Sequence, residues 1–314
     1  MNHARTALVI GARGGIGGEM VAALRRRGWQ VRALARKPRG QGADGLEWID
    51  GDAMNAGDLR RAAIGCAAIV HAVNPPGYRD WDKLVLPMLE HSIAAARAAG
   101  ARLVLPGTLY NYGPDSFPLL AESSPQHPRT RKGAIRVQME QRLHAAAGEG
   151  VKVLIVRAGD FFGPRAGNNW FSGGLLGGKR KLGALTNPAR PGVGHAWAYL
   201  PDVAETMARL LEREDALEPF ATYHFAGHWD ADGSQMIEAI RRAAGRPLAV
   251  RRFPWFLLPL LAPFNTLLRE MREMRYLWQH PLRLDNSRLL ATLGAEPHTP
   301  LDQAVRSALA GALD

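Results

Sequence analysis

The residues that most constrain this chain lie at its start, where GARGGIGG follows the apolar run Ala7 to Ile10. Gly11, Gly14 and Gly17 are spaced G-x-x-G-x-x-G across the passage from a strand into a helix. Ile16, Met20, Val21 and Leu24 fall on one face of that helix, and Gly28 ends it. Glycines at such a junction let the backbone turn tightly and approach a pyrophosphate, while the helix N-terminus offers free N–H groups. In a chain with 34 glycines the motif alone also fits an ordinary tight turn; its place between the first strand and the first helix is what points to a dinucleotide. Gly11, Arg13, Gly14, Gly15, Ile16 and Gly17 are the first expected cofactor contacts.

The second strand, Gln30 to Leu34, runs on into ARKPR. A site specific for NAD carries Asp or Glu at the end of this strand to accept hydrogen bonds from the ribose hydroxyls. This strand ends without a carboxylate, and Arg36, Lys37 and Arg13 present cations suited to a 2′-phosphate, Arg in bidentate fashion. NADP(H) is therefore expected in preference to NAD(H); otherwise Lys37 and Arg39 are solvated loop charges.

Four further apolar runs, Leu46 to Ile49, Ala68 to Ala72, Arg102 to Leu105 and Val151 to Val156, alternate with helical periodicities starting near Asn55, Trp81 and Thr130. That alternation predicts an α/β fold, a Rossmann doubly wound parallel sheet with a smaller, discontinuous C-terminal substrate lobe. After Gly159 the texture breaks into FFGPRAGNNW and SGGLLGGKR. The expected division is a dinucleotide-binding unit over 1–160, with about 195–222 returning to it, and a lobe over 161–194 and 223–314. Asp202 and Glu205 read as a D-x-x-E cap on a helix running to Leu211.

Composition excludes several classes. Hydrophobic residues at 46% and charged residues at 22% are globular proportions. The net charge is +11, and residues 1–40 hold nine Lys/Arg against the single acid Glu19, yet no groove-entering motif or interleaved aromatics accompany the charge, so a nucleic-acid partner is not expected. Cys66 is the only cysteine and no signal-like segment opens the sequence, which suits a reducing, cytoplasmic setting. Phe253 to Leu268 is the most apolar stretch. It is too short to span a bilayer comfortably and is broken by Pro254, Pro259 and Pro263, so packing in the lobe or lining a pocket is expected ahead of peripheral membrane contact or a quinone- or lipid-like ligand.

With the glycine loop, GDA at Gly51 to Ala53, VHAV at Val70 to Val73, TLYNYG at Thr108 to Gly113, VRAGDFFGP, YLPDVAE and LDNSRLLATLG in view, the chain resembles the extended or atypical short-chain dehydrogenase/reductase family, which includes NAD-dependent epimerases and dehydratases. The resemblance covers nearly the whole chain. It implies that Asp52 and Ala53 lie near the adenine, that Ala72 and Val73 follow the fourth strand beside the cofactor, and that a homodimer forms through helices near the catalytic position. It also implies a Ser/Thr, a Tyr and a Lys, the last two spaced Y-x-x-x-K. The Lys lowers the tyrosine pKa and holds the nicotinamide ribose, and the Tyr exchanges a proton with substrate. Thr108 matches the Ser/Thr. In RTRKGAIRVQME, aligned on Met139 and Glu140, Lys132 stands at the Tyr position and Arg136 at the Lys position. Arg136 can hold ribose hydroxyls but cannot lose a proton, and Lys132 is a poor phenol mimic. Tyr112 or Tyr110 then becomes the alternative proton source, each also readable as a buried aromatic.

The candidate catalytic set is Thr108, Tyr112, Lys132 and Arg136. His224 and His228 are four apart, but YHFAGHWD reads as a strand running into a loop, so a metal is not expected. Lys179 and Arg180 sit in a glycine-rich stretch that either closes over an anionic group or stays a surface loop. Two functions stand open: an NADP(H)-dependent oxidoreductase or epimerase-like enzyme on a small molecule with a non-standard proton-transfer site, or a non-catalytic NADP(H)-binding sensor or assembly factor.

Overall fold

The computed structural model describes residues 5–37, 45–75, 80–165, 169–178, 183–262 and 266–310. The chain opens with β1 (Thr6–Ile10), α1 (Gly15–Arg26), β2 (Gln30–Ala35), β3 (Leu46–Asp50), α2 (Ala56–Ala63), β4 (Ala68–His71), α3 (Trp81–Ala99) and β5 (Arg102–Gly107). It continues through β6 (Leu119–Leu120), α4 (Arg131–Gly148), β7 (Val153–Ala158), β8 (Asp160–Phe162), β9 (Leu185–Asn187), β10 (His195–Tyr199), α5 (Leu200–Glu212), β11 (Phe220–Phe225), β12 (His228–Asp230) and α6 (Gln235–Ala244). β13 (Val250–Arg252), α7 (Leu258–Leu261), α8 (Thr266–Glu273), β14 (Arg283–Leu284), α9 (Ser287–Leu293) and α10 (Leu301–Leu309) complete it.

The central sheet has the order β11-β7-β5-β4-β1-β2-β3, with every pairing parallel. Successive side chains of a strand point to opposite faces, and the strands obey that period. Ala7 and Val9 join α1 and α5 in one core, while Leu8 and Ile10 join α2, α3 and α4 in the other. This is a doubly wound α/β sheet. Its order reverses between β1 and β4, and ligands of such sheets bind outside the carboxyl ends of the strands at that crevice.

A third core, centred on Phe162, Trp170, Trp197 and Trp278, lies outside the central sheet. Phe253 and Trp255 of the proline-broken stretch pack there: both rings contact Trp170, and Trp255 Nε1 donates to Pro188 O at 2.9 Å. Phe256 and Leu260 stay exposed. No helix among the described residues is long and apolar enough to cross a membrane.

Two readings of the sequence shift. Asp202 and Glu205 form no capping box: the N-cap of α5 is Tyr199, and the Asp202 carboxylate accepts instead from Thr299 N and Oγ1 at 2.7 and 2.8 Å. With Pro201 in its first turn, α5 begins at Leu200, two residues before Asp202, so the carboxylate lies inside the helix and past the capping position. His195–Tyr199 does not join the central sheet but pairs with β8 and β12; the chain re-enters the Rossmann layers at Leu200, leaves them after Phe225, and returns with Leu289 of α9 packed in the core of α1 and α5. Arg39, Lys179, Arg180 and Pro263 lie outside the described residues.

Candidate active site

The glycine turn is built by close approach. Gly11 has φ +85°, and a Cβ there would stand 2.6 Å from Ala72 O; a Cβ on Gly17 would stand 2.2 Å from Gly11 O. A side chain at Gly11 would push the turn off the end of β4, and one at Gly17 would push α1 off the turn itself. Gly14 N donates to Gly11 O at 2.9 Å and Gly14 is the N-cap of α1, with no side-chain cap and no acid in the first turn. The first-turn amides of Gly15, Ile16 and Gly17 are thus donors of the kind that a helix leaves unpaired, beside the positive end of its dipole. These residues fit the pyrophosphate of a dinucleotide. Arg165, which the sequence reading passed over, donates to Gly18 O at 2.8 Å and adds a cation beside that turn.

A second group gathers at the ends of β2 and β3. Arg13 lies over the Trp48 ring at 5.4 Å and donates to the carbonyls of Arg36 and Lys37 at 3.5 and 3.3 Å. Arg36 is exposed and stands 3.9 Å from Asp52. Lys37 has φ +51°, and its N–H donates to Asp50 Oδ1 at 2.9 Å. The carboxylates missing from β2 are therefore supplied close by from β3 and the turn after it. Asp52 accepts from Met54 N, and Ala53, buried, accepts at its carbonyl from His91 Nδ1.

Beyond Ala72 and Val73 the chain reaches Asn74 and Pro75, which border a cavity of ≈ 370 Å³ together with Thr108, Tyr110, Lys132 and Arg136. Three of the four candidate catalytic residues therefore meet at one cavity. Thr108 Oγ1 accepts from Tyr110 N at 3.2 Å. Lys132 and Arg136 are four apart on α4, so they share a face. Thr130 caps that helix by accepting from Gly133 N at 3.0 Å. Arg136 donates to Asn74 Oδ1 at 3.4 Å and lies 5.2 Å over Trp81, which ties α4 to the segment after β4. His71, at the end of β4, donates through Nδ1 to Ser92 Oγ at 2.8 Å; burial, with the nearby Arg136 charge, pulls it down to about 3 and keeps it neutral.

Tyr112 is not at the cavity. Its side chain is fully buried behind it, with the hydroxyl accepting from Arg157 Nη1 at 2.6 Å and lying 3.4 Å from His224 Nε2. Burial pushes the phenol above its ordinary value. Tyr112 is a satisfied core tyrosine, and of the two tyrosines Tyr110 borders the cavity. His224 and His228 also part company: His224 faces Arg157, and His228 packs on the His298 ring at 4.4 Å. Among the described residues no three His, Cys, Asp or Glu side chains gather as a metal site would require.

The sequence reading missed two groups that border the same cavity. Asp160 and His195 form a buried pair with Oδ2 and Nε2 2.8 Å apart. An apolar wall of Trp81, Phe161, Trp170, Met274, Leu277 and Leu282 faces the polar groups.

The model of the NAD dependent epimerase/dehydratase family matches residues 7–226. The chain belongs to that family. Its members use a nicotinamide cofactor, in keeping with the glycine turn at the switch of the sheet. The chain is 26% identical over 275 residues to the 3-diazoavenalumate denitrifying reductase of a Streptomyces species, covering 80% of this chain and 88% of that protein. It is 27% identical over 187 residues to the uncharacterized protein y4nL of Sinorhizobium fredii, 52% of each chain, so it matches about half the length of that relative. The structure of UDP-glucose 4-epimerase from Bifidobacterium longum in complex with NAD+ and UDP superposes with a TM-score of 0.75 at 14% identity, over 97% of both chains. The extended short-chain dehydrogenase/reductase fold is thereby shown over nearly the whole chain.

Proposed function

We propose that this protein is an NADP(H)-dependent reductase of a compact, largely apolar aromatic molecule bound between the sheet and the segments 161–194 and 223–314, which act as its substrate lobe. The observation that carries this reading is convergence: the glycine turn abuts Ala72 and Val73, and the next two residues enter the cavity that Thr108, Lys132 and Arg136 share. When bound, the cofactor supplies the hydride. Gly15, Ile16 and Gly17 hold its pyrophosphate through their amides, Asp52 and Ala53 border its adenine, and Arg136 holds the nicotinamide ribose. Lys132, which borders the cavity with Thr108, places a cation beside the developing negative charge on substrate oxygen, a form of electrostatic stabilisation. The tryptophan and methionine wall supports an aromatic ligand, as does the likeness to a protein named as a reductase of a diazo compound.

NADP(H) is proposed over NAD(H) because Arg36 projects into solvent, its one ion pair among the described residues being the long contact to Asp52, which leaves its guanidinium able to turn onto a 2′-phosphate. Bound NAD in the epimerase structure is the counterweight, and affinity measurements decide between them. Arg36→Ala is expected to weaken NADPH about tenfold, the value of one charge-assisted phosphate contact, and to leave NADH unchanged. Equal loss for both would overturn the preference. The buried, single Cys66 supports a cytoplasmic setting, and the proposed homodimer is tested by light scattering.

The activity itself is tested by NADPH consumption at 340 nm with aryl aldehydes, quinones and aryldiazonium ions. Turnover with at least one class is expected. Tight NADPH binding with no consumption across the panel would favour the sensor or assembly-factor reading instead.

A further inference from the structure

Asp160 and His195 have no part in the reading above, yet they are the cavity's most elaborately held polar groups. They arrive from β8 and β10, parallel strands in register at Asp160 and Trp197, and the strands approach so closely that a Cβ on Gly159 would stand 2.2 Å from Ala196 O. Both side chains are at least nine-tenths buried. The imidazole lies flat on the Trp278 indole, centroids 3.7 Å apart and planes 8° from parallel, with Trp197 on its edge at 4.9 Å. Burying a carboxylate–imidazole pair costs free energy that two apolar residues packed on the same tryptophans would not incur. Nε2 is engaged by Asp160, while Nδ1 has no hydrogen-bond partner among the described residues, on a residue that borders the cavity.

We propose that His195 is the acid–base residue of this cavity, exchanging a proton through Nδ1 with the oxygen of an aromatic carbonyl substrate, and that Asp160 is the positioning residue that fixes its ring. The proposal rests on the nicotinamide-dependent reading above. In reduction, hydride and its electron pair form the new C–H bond at the carbonyl carbon. The C=O π pair moves onto oxygen, and the Nδ1–H bond of the imidazolium breaks to protonate it. The carbonyl is thereby reduced by two electrons to an alcohol, with NADPH oxidised to NADP+, and the neutral imidazole recovers its proton from water. Arg136 cannot take this role, and Tyr112 lies behind the wall.

The charged and titratable groups around the pair fit this assignment. Lys132 and Arg136 border the same cavity from α4. Tyr276 donates its hydroxyl proton to Tyr112 O, and burial, with the Asp160 charge second, pushes that hydroxyl above its ordinary value. From β12, His228 packs on His298, and Asp230, the cross-strand partner of His195, spends its carboxylate on the amides of Gly233, Gln235 and Met236. Asp160 is thus the carboxylate that answers an imidazolium at His195.

The test uses the full chain with NADPH and 4-nitrobenzaldehyde as probe. His195→Gln should lower the rate about 100-fold, as loss of a general acid does, with NADPH affinity unchanged. Added imidazole should restore part of the rate of His195→Ala. Asp160→Asn should lower kcat more than it raises KM, because the ring loses the carboxylate that orients it. Independently of turnover, the histidine ring signals absent from the His195→Gln NMR spectrum should shift when 4-nitrobenzyl alcohol is added. A His195→Gln protein with the wild-type rate would overturn the proposal alone. Wild-type protein that neither binds nor consumes NADPH would instead overturn the cofactor reading beneath it.

Discussion

Arg157 shows how a charge in this fold serves structure. It gives two hydrogen bonds to Glu140, at 3.1 and 2.6 Å, and one each to the Tyr112 hydroxyl and Glu122 O, at 2.6 and 3.2 Å, all in the interior. Glu140→Ala strands that guanidinium, and a loss of about 3–5 kcal/mol in urea unfolding is expected; a loss under about 1 kcal/mol would mean that the network relaxes onto water. This cluster holds Tyr112 away from the cavity where the sequence had placed it, since sequence spacing says nothing about which way a side chain turns after β5. Three buried histidines add a pH dependence. His71 and His224 are pulled to about 3, and His228 to about 4, burial leading in each case. All three folded values lie below the ordinary 6.5, so the unfolded chain binds protons that the fold refuses. Stability is then level above about pH 7 and lost as pH falls from 6.5 toward the folded values, each histidine contributing up to about 1.4 kcal/mol per pH unit. Urea midpoints measured from pH 7.5 to 5.5 should drop accordingly, and a constant midpoint would contradict neutral burial.

At the scale of elements, the first turn of α1 and the cap of α4 set the two ends of the site. Gly17→Ala forces a Cβ to within 2.2 Å of Gly11 O, so the turn must open, and loss of NADPH binding by fluorescence titration is expected. Gly14→Ala meets nothing closer than 3.3 Å and should be mild by comparison. If both bind alike, the closed turn is not what holds the pyrophosphate. Thr130→Ala should cost about 1 kcal/mol of stability, as N-cap removal does, with Thr130→Ser retaining it. These elements were legible because apolar alternation, glycine spacing and cap residues are local signals. The Asp160–His195 pair was not: its partners are 35 residues apart, on strands of three and five residues, and neither AGDFF nor VGHAW carries a chemical motif. The supposed cap at Asp202 failed for the opposite reason, a local pattern whose carboxylate was claimed by a distant residue.

That distant claim decides how the molecule holds together. Asp202, buried on α5 against the Rossmann core, binds both donors of Thr299, from which the chain enters α10 and packs on α6. Glu296 acts nearby in the same sense, accepting from the amides of Ala226 and Gly227 just past β11, at 2.8 Å each. The central sheet and its switch point could be read from the sequence because each βα unit is contiguous. The joining of the C-terminal segments to that sheet could not, because it depends on single carboxylates meeting backbone amides about 70 to 97 residues away. Asp202→Ala removes the acceptor for two buried donors and should cost about 1–3 kcal/mol. If the contact is a tether between otherwise complete units, amide exchange over 299–309 should quicken while the glycine turn at the start of α1 keeps its affinity for NADPH. A variant that loses NADPH binding together with protection at 299–309 would show instead that the C-terminal segments and the cofactor site form one cooperative unit.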